Sequence, residues 1–152
     1  MIPKEFEGSL KPAPVDSRAA EKFLKRARQD LASARFIHST DMEAGYTLLY
    51  DCMLHAALAF MAVSGVRPEL MGKHKTVIRY MGHVLGNAYQ VQIEFYDRMR
   101  RKRHQFLYEP GFYVCTEKEA AEAEKMAGEF LRLVSEKIRE IHPQKEIGRA
   151  HV

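Results

Sequence analysis

Apolar residues recur at helical spacing along most of the chain, and strand-type alternation is not sustained anywhere. From Arg18 to His38, the positions Ala20, Phe23, Leu24, Ala27, Leu31, Ala34 and Ile37 fall three and four residues apart, forming one face of an amphipathic helix. Lys22, Lys25, Arg26, Arg28 and Asp30 form its charged face, and Asp16 or Ser17 is placed to cap it. Thr40-Asp41-Met42-Glu43 has the Thr-x-x-Glu spacing of a capping box and opens a second helix that ends at Gly65. That helix is apolar on nearly every side (Leu48, Leu49, Met53, Leu54, Ala56, Leu58, Phe60, Met61), so it is predicted to be surrounded by protein. A shorter third helix runs from Lys73 to about Leu85, where Gly86-Asn87 breaks it, and a fourth runs from about Asn87 to Tyr108, before Pro110-Gly111. A second capping box, Thr116-Glu117-Lys118-Glu119, starts the fifth, which carries Ala123, Met126, Ala127, Phe130, Leu133, Val134, Ile138 and Ile141.

These elements predict an all-α fold, an up-and-down helical bundle of about five helices, four long and one short. The bundle is expected over residues 16–142, between a proline-bearing extended leader at 1–15 (Pro3, Pro12, Pro14) and a C-terminal tail at 143–152. A chain of 152 residues suffices for one domain with a core, and 46% hydrophobic with 29% charged residues excludes a disordered or low-complexity protein. The two cysteines, Cys52 and Cys115, are far apart and read as packing residues or free thiols. The apolar segment from Met42 to Val63 carries Asp51 and His55 at its middle, which favours a buried helix over a membrane span. The start, Met1-Ile2-Pro3-Lys4-Glu5-Phe6-Glu7, has no uninterrupted apolar stretch of the secretory kind, so a cytoplasmic protein without membrane attachment is expected.

Charge changes this picture at one place. The formal net charge is +4, yet five of the 24 basic residues lie within Arg98-Met99-Arg100-Arg101-Lys102-Arg103; without those five it is −1. On a continuous fourth helix the apolar stripe is Tyr89, Ile93, Tyr96, Met99, Phe106 and Leu107, and Arg100 and Arg103 fall inside it. Arg98, Arg101 and Lys102 point elsewhere and read as a solvated face. A guanidinium on an apolar face requires a charged partner or a wet cleft, and Asp51, the one acid in the interior of the second helix, is the expected partner. Such a pair serves either to hold helices together or to present an arginine to a ligand. Arg100, His104 and Tyr108, spaced i, i+4, i+8, form a ridge with Arg103 beside it, a set suited to gripping a phosphate and moving a proton near it.

Three stretches resemble the HEPN superfamily (higher eukaryote and prokaryote nucleotide-binding domains). They are Ala20-x-x-Phe23-Leu24-x-x-Ala27-x-x-Asp30-Leu31-x-x-Ala34; Tyr46-x-x-x-Tyr50-Asp51-x-x-x-His55-x-x-x-Ala59 with Gly65 and Gly72-Lys73-His74; and Arg98 to Tyr108. The resemblance implies a short helical bundle that forms homodimers and binds RNA or a nucleotide. It also implies metal-independent endoribonuclease activity as an alternative, in a toxin–antitoxin pair with a small nucleotidyltransferase as antitoxin. The family's signature is an Arg, four to six intervening residues and then a His, frequently with a polar residue directly after the Arg. Arg98 and His104 meet that spacing; in the other alignment Arg103 is followed directly by His104, and Tyr108 stands at the position of the histidine. The implied catalytic set is then Arg98, Arg103, His104 and Tyr108, with Arg100, Arg103 and His104 on phosphate and Asp51 and His55 in support. A phenol is a poor general base near neutrality.

No cofactor is expected. Asp51, His55 and His74 are ligand types, but no Glu-x-x-His pair accompanies them, and hydrogen bonds within a bundle account for them without a metal. Phosphate-binding loops, dinucleotide-binding glycine patterns and serine nucleophile elbows are absent from the sequence.

Overall fold

The computed structural model describes residues 2–141; the tail expected at 143–152 lies outside the described residues. Five helices build the domain: α1 (Ser17–Ile37), α2 (Met42–Ser64), α3 (Lys73–Leu85), α4 (Gln90–Tyr108) and α5 (Glu117–Ile141). The all-α bundle is thus as the periodicity predicts. Helix α2 packs against each of the other four, most extensively against α1, its antiparallel neighbour across the short connection at 38–41. Its buried residues lie on all sides, among them Tyr50, Cys52, Met53, Ala56, Ala59 and Met61. By length and composition alone α2 could cross a membrane, and its enclosure by the other helices accounts for the same apolarity. Small residues let α1 and α2 approach closely: a Cβ added at Gly45 would stand 3.4 Å from the Ala34 carbonyl oxygen.

Local chemistry sets the helix ends. Asp16 caps α1, its carboxylate accepting the Ala19 N–H at 2.9 Å. At α2 the structure corrects the expected box: Asp41, not Thr40, is the cap, accepting the Ala44 N–H at 3.0 Å, while the Thr40 N–H donates to the Ile37 carbonyl in the preceding turn. The second box forms, with the Glu119 N–H donating to Thr116 Oγ1 at 3.1 Å and the Thr116 N–H to Glu119 Oε1 at 3.0 Å. Gly65 ends α2 at φ +77°, a conformation costly for residues with a Cβ. The fourth helix begins three residues later than expected, because Asn87–Tyr89 form a 3-10 turn before Gln90.

Strands are present after all, on a small scale. β1 (Leu10–Pro12) pairs antiparallel with β2 (Val66–Pro68), Leu10 opposite Pro68, and three residues are too few to show alternation. Before it, a 3-10 turn at Lys4–Phe6 drives Phe6 into the core against Tyr80 and His83, with ring centroids 5.8 and 5.7 Å away. The segment before α1 is therefore packed onto the bundle by a buried aromatic ring and a strand pair.

Candidate functional site

Along α4, Tyr96, Met99 and Phe106 are buried against the bundle, and Arg103 occupies the same stripe between Met99 and Phe106, where a leucine would ordinarily stand. The half-buried Arg103 reaches α2: its Nε lies 3.8 Å from Asp51 Oδ1, and its guanidinium carbon sits 5.5 Å from the centre of the Tyr50 ring. The Nε is buried without a hydrogen-bond partner among the described residues. Asp51 is thus the acid that faces the stripe, and Arg103, not Arg100, is the arginine it meets. Arg100 turns instead to Asp97 on its own helix, at 2.9 Å.

Tyr50 is wholly buried and wedged between Tyr96 and His74, and its hydroxyl lies 2.7 Å from His74 Nδ1. Burial pushes the Tyr50 phenol well above its ordinary value, against the pull of Arg103 and Arg100, so it stays protonated and donates to His74. Burial, then Arg103, Lys73 and Arg100, hold His74 below 6.5, which keeps it the neutral acceptor. Desolvation raises the Asp51 carboxyl, with Arg103 opposing it.

One turn further along α2, His55 meets α1. Its Nδ1 is 2.6 Å from Oδ2 of Asp30, whose other oxygen accepts the Arg26 Nε–H at 2.9 Å, and the Phe23 ring lies nearly parallel to the imidazole at 6.2 Å. The structure corrects the reading of Asp30 as part of a solvated face, for it is 3% exposed. Its position, three residues after Ala27 and four before Ala34, places it on the buried stripe, and the polar side chain is accommodated there because each of its oxygens meets a partner. Asp30 and Tyr50 are the residues the spacing argument passed over. The signal available for Asp30 was its register with the two alanines.

The other charges of α4 divide around the helix. Lys102, expected on a solvated face, is partly buried and crosses to α5, its Nζ 2.9 Å from Glu119 Oε2. Arg101 shares Asp97 with Arg100, and Arg98 lies over the Phe95 ring at 4.9 Å. His104 and Tyr108 are exposed, with ring centroids 4.6 Å apart, while Leu107, expected in the apolar stripe, is 56% exposed. The expected ridge is therefore split, with Arg103 turned inward to α2 and His104 and Tyr108 together at the open end of α4. Arg98 and His104 lie on one uninterrupted helix, on different sides of it. Five cations at 98–103 face three carboxylates, Asp97, Glu119 and Asp51, so the segment keeps a surplus positive charge of two.

Among the described residues, no group of three or more His, Cys, Asp or Glu is placed to hold a metal ion. Asp51, His55 and His74 each face a different partner. Burial pushes the Cys52 thiol up to about 12 and that of Cys115 to about 11, so neither is a thiolate near neutrality.

The family model described as HEPN domain matches residues 20–138, from the first buried turn of α1 to the last of α5. Comparison with curated proteins and with solved structures finds no match.

Proposed function

Because the chain belongs to the HEPN domain family, whose functions are nucleotide- and RNA-related, we propose that it binds the phosphates of RNA or of a nucleotide along α4. Arg100 and Arg103 are the principal contacts, and His104 and Tyr108 extend the surface. The observation that carries this reading is the surplus of positive charge on one helix, together with an arginine held in place from behind by Asp51. A guanidinium drawn toward a carboxylate on its Nε edge without a hydrogen bond to it leaves its terminal N–H groups available to phosphate.

The test is a fluorescence-anisotropy titration with a labelled single-stranded RNA. Affinity should fall steeply from 50 to 200 mM salt, and Arg103→Ala should weaken it at least several-fold at low salt. No binding at 50 mM salt, or binding indifferent to Arg103→Ala and Arg100→Ala together, would sink the proposal.

We further propose a cytoplasmic homodimer that brings two α4 helices together, within a toxin–antitoxin pair whose other member is a small nucleotidyltransferase. The dimer is supported by the exposed apolar side chains beside the ridge, Leu107, Tyr108, Phe112 and Val114. Light scattering coupled to size-exclusion chromatography tests it; a monomer at 50 µM overturns it. Co-purification with the product of an adjacent nucleotidyltransferase gene tests the pairing.

A further inference from the structure

We infer that the cleft between the segment before α1, helix α2 and the start of α3 is a binding site for a carboxylic acid with an apolar body, its head group held by Arg67 and Lys73. The site is separate from the α4 surface and stands whether or not that surface binds phosphate. It is an open cavity of about 400 Å³, within the size range of small-molecule sites. Five stretches of the chain converge on it: the residues ahead of α1, then α1 through Phe23, α2 through Leu58 and Met61, β2 through Arg67, and the turn into α3 through Leu70 and Lys73.

The helices give the cavity an apolar wall. Phe23 and Leu58 are only partly covered by the rest of the bundle, while Met61 beside them is buried. At the edge, Leu70 is 85% exposed and Met71, the next residue, 88%. Two large apolar side chains left in water in succession, next to an apolar cavity, form a surface that a hydrocarbon body would cover.

Charge at the rim selects the head group. Arg67 stands opposite Lys11 in the two-stranded ladder, and like charges directly opposite repel. Glu69, the nearest acid along the chain, lies 3.5 Å from Lys11, and neither Arg67 nor Lys73 meets a carboxylate within ion-pair distance among the described residues. Lys73 also opens α3, whose first turn holds Lys73, His74 and Lys75 with no acid and no side-chain cap, the reverse of the usual charge at a helix start. Of the residues on the wall one is an acid, Asp16, and its carboxylate accepts the Ala19 N–H as the cap of α1. Two cations and one carboxylate leave a single positive charge on the wall, which matches a carboxylate and falls short of a phosphate dianion. The carboxylate accepts from the Arg67 fork and the Lys73 ammonium, and the body runs over Phe23, Leu58 and Met61 toward Leu70.

The experiment titrates the isotope-labelled full chain with decanoate and follows the backbone amide resonances. Decanoate should bind saturably with a Kd of roughly 1 mM or tighter, with the shifts gathered at Arg67, Leu70 and Lys73. Acetate, which lacks the apolar body, should not saturate over the same range. Arg67→Gln combined with Lys73→Gln should weaken decanoate by at least about tenfold. Ala62→Leu, which fills the cavity from α2 and keeps both cations, should weaken it to a similar degree. Absence of saturable decanoate binding overturns the inference, and so does binding that either change leaves intact. Cosedimentation with phosphatidylglycerol vesicles without binding of the free acid assigns the patch to a membrane surface and overturns it too.

Discussion

Two histidines in this bundle contact a carboxylate at nearly the same distance, His55 to Asp30 at 2.6 Å and His38 to Glu117 at 2.7 Å, and both imidazoles are 27% exposed. The acids differ: the Asp30 side chain is 4% exposed and the Glu117 side chain 75%. Glu117 can exchange its imidazole for water at little cost, whereas Asp30 has little solvent to fall back on and, among the described residues, is held by Arg26 and His55. Distance is thus a poor guide to what a polar contact contributes, and burial of the acceptor decides it. The Asp51–Arg103 pair, with side chains 28% and 29% exposed, lies between these two extremes.

The largest effect expected from breaking this comparison is at its buried end. Asp30→Ala strands the Arg26 and His55 donors and should destabilise the domain by about 3 kcal/mol, lowering Tm by roughly 6–12 °C, as read by calorimetry. A change under about 2 °C would mean that the acid is not the tie between α1 and α2. Next comes Arg103→Ala, which should cost about 1–2 kcal/mol, less than a fully buried pair because each partner keeps over a quarter of its side chain in water. A double-mutant cycle with Asp51→Ala should show coupling of about 0.5–1.5 kcal/mol; strict additivity would dissociate the two residues.

A third histidine sharpens the contrast through pH. His74 is held below 6.5 in the fold, so the unfolded chain protonates first as pH falls. The stability it contributes is present above 6.5 and is lost on descending through that value toward the folded one. Urea midpoints measured from pH 7.5 to 5 should decline in the wild type and decline less in His74→Phe, which keeps an aromatic ring on Tyr50. An unchanged slope would show that His74 titrates as it does in the unfolded chain. The smallest effect belongs to Glu117→Gln, under about 0.5 kcal/mol and vanishing in 1 M salt. A larger loss would remove the distinction between the two histidine pairs.

Much of the scaffold was readable from spacing alone, because helix periodicity, caps and glycine stops are local. The all-round apolarity of α2 placed it at the centre, and the misplaced arginines of α4 pointed to Asp51. Which arginine met that acid was not readable, since Arg100 has Asp97 one turn before it and the choice depends on the rotation of α4 against α2. Asp30 was hidden because an acid in a helix with four nearby cations looks solvated whichever way it faces. Lys102 was hidden because its acid, Glu119, comes from α5, seventeen residues on.

The chain's own pattern sufficed for the number and order of the helices, the central position of α2 and the concentration of charge on α4, all consequences of interactions between residues a turn or two apart. Only packing decided where those charges point. A carboxylate persists in a core when separate elements bring donors to both of its oxygens, as α1 and α2 do for Asp30, and an arginine turns inward when an acid on a neighbouring helix stands opposite it, as Asp51 does for Arg103.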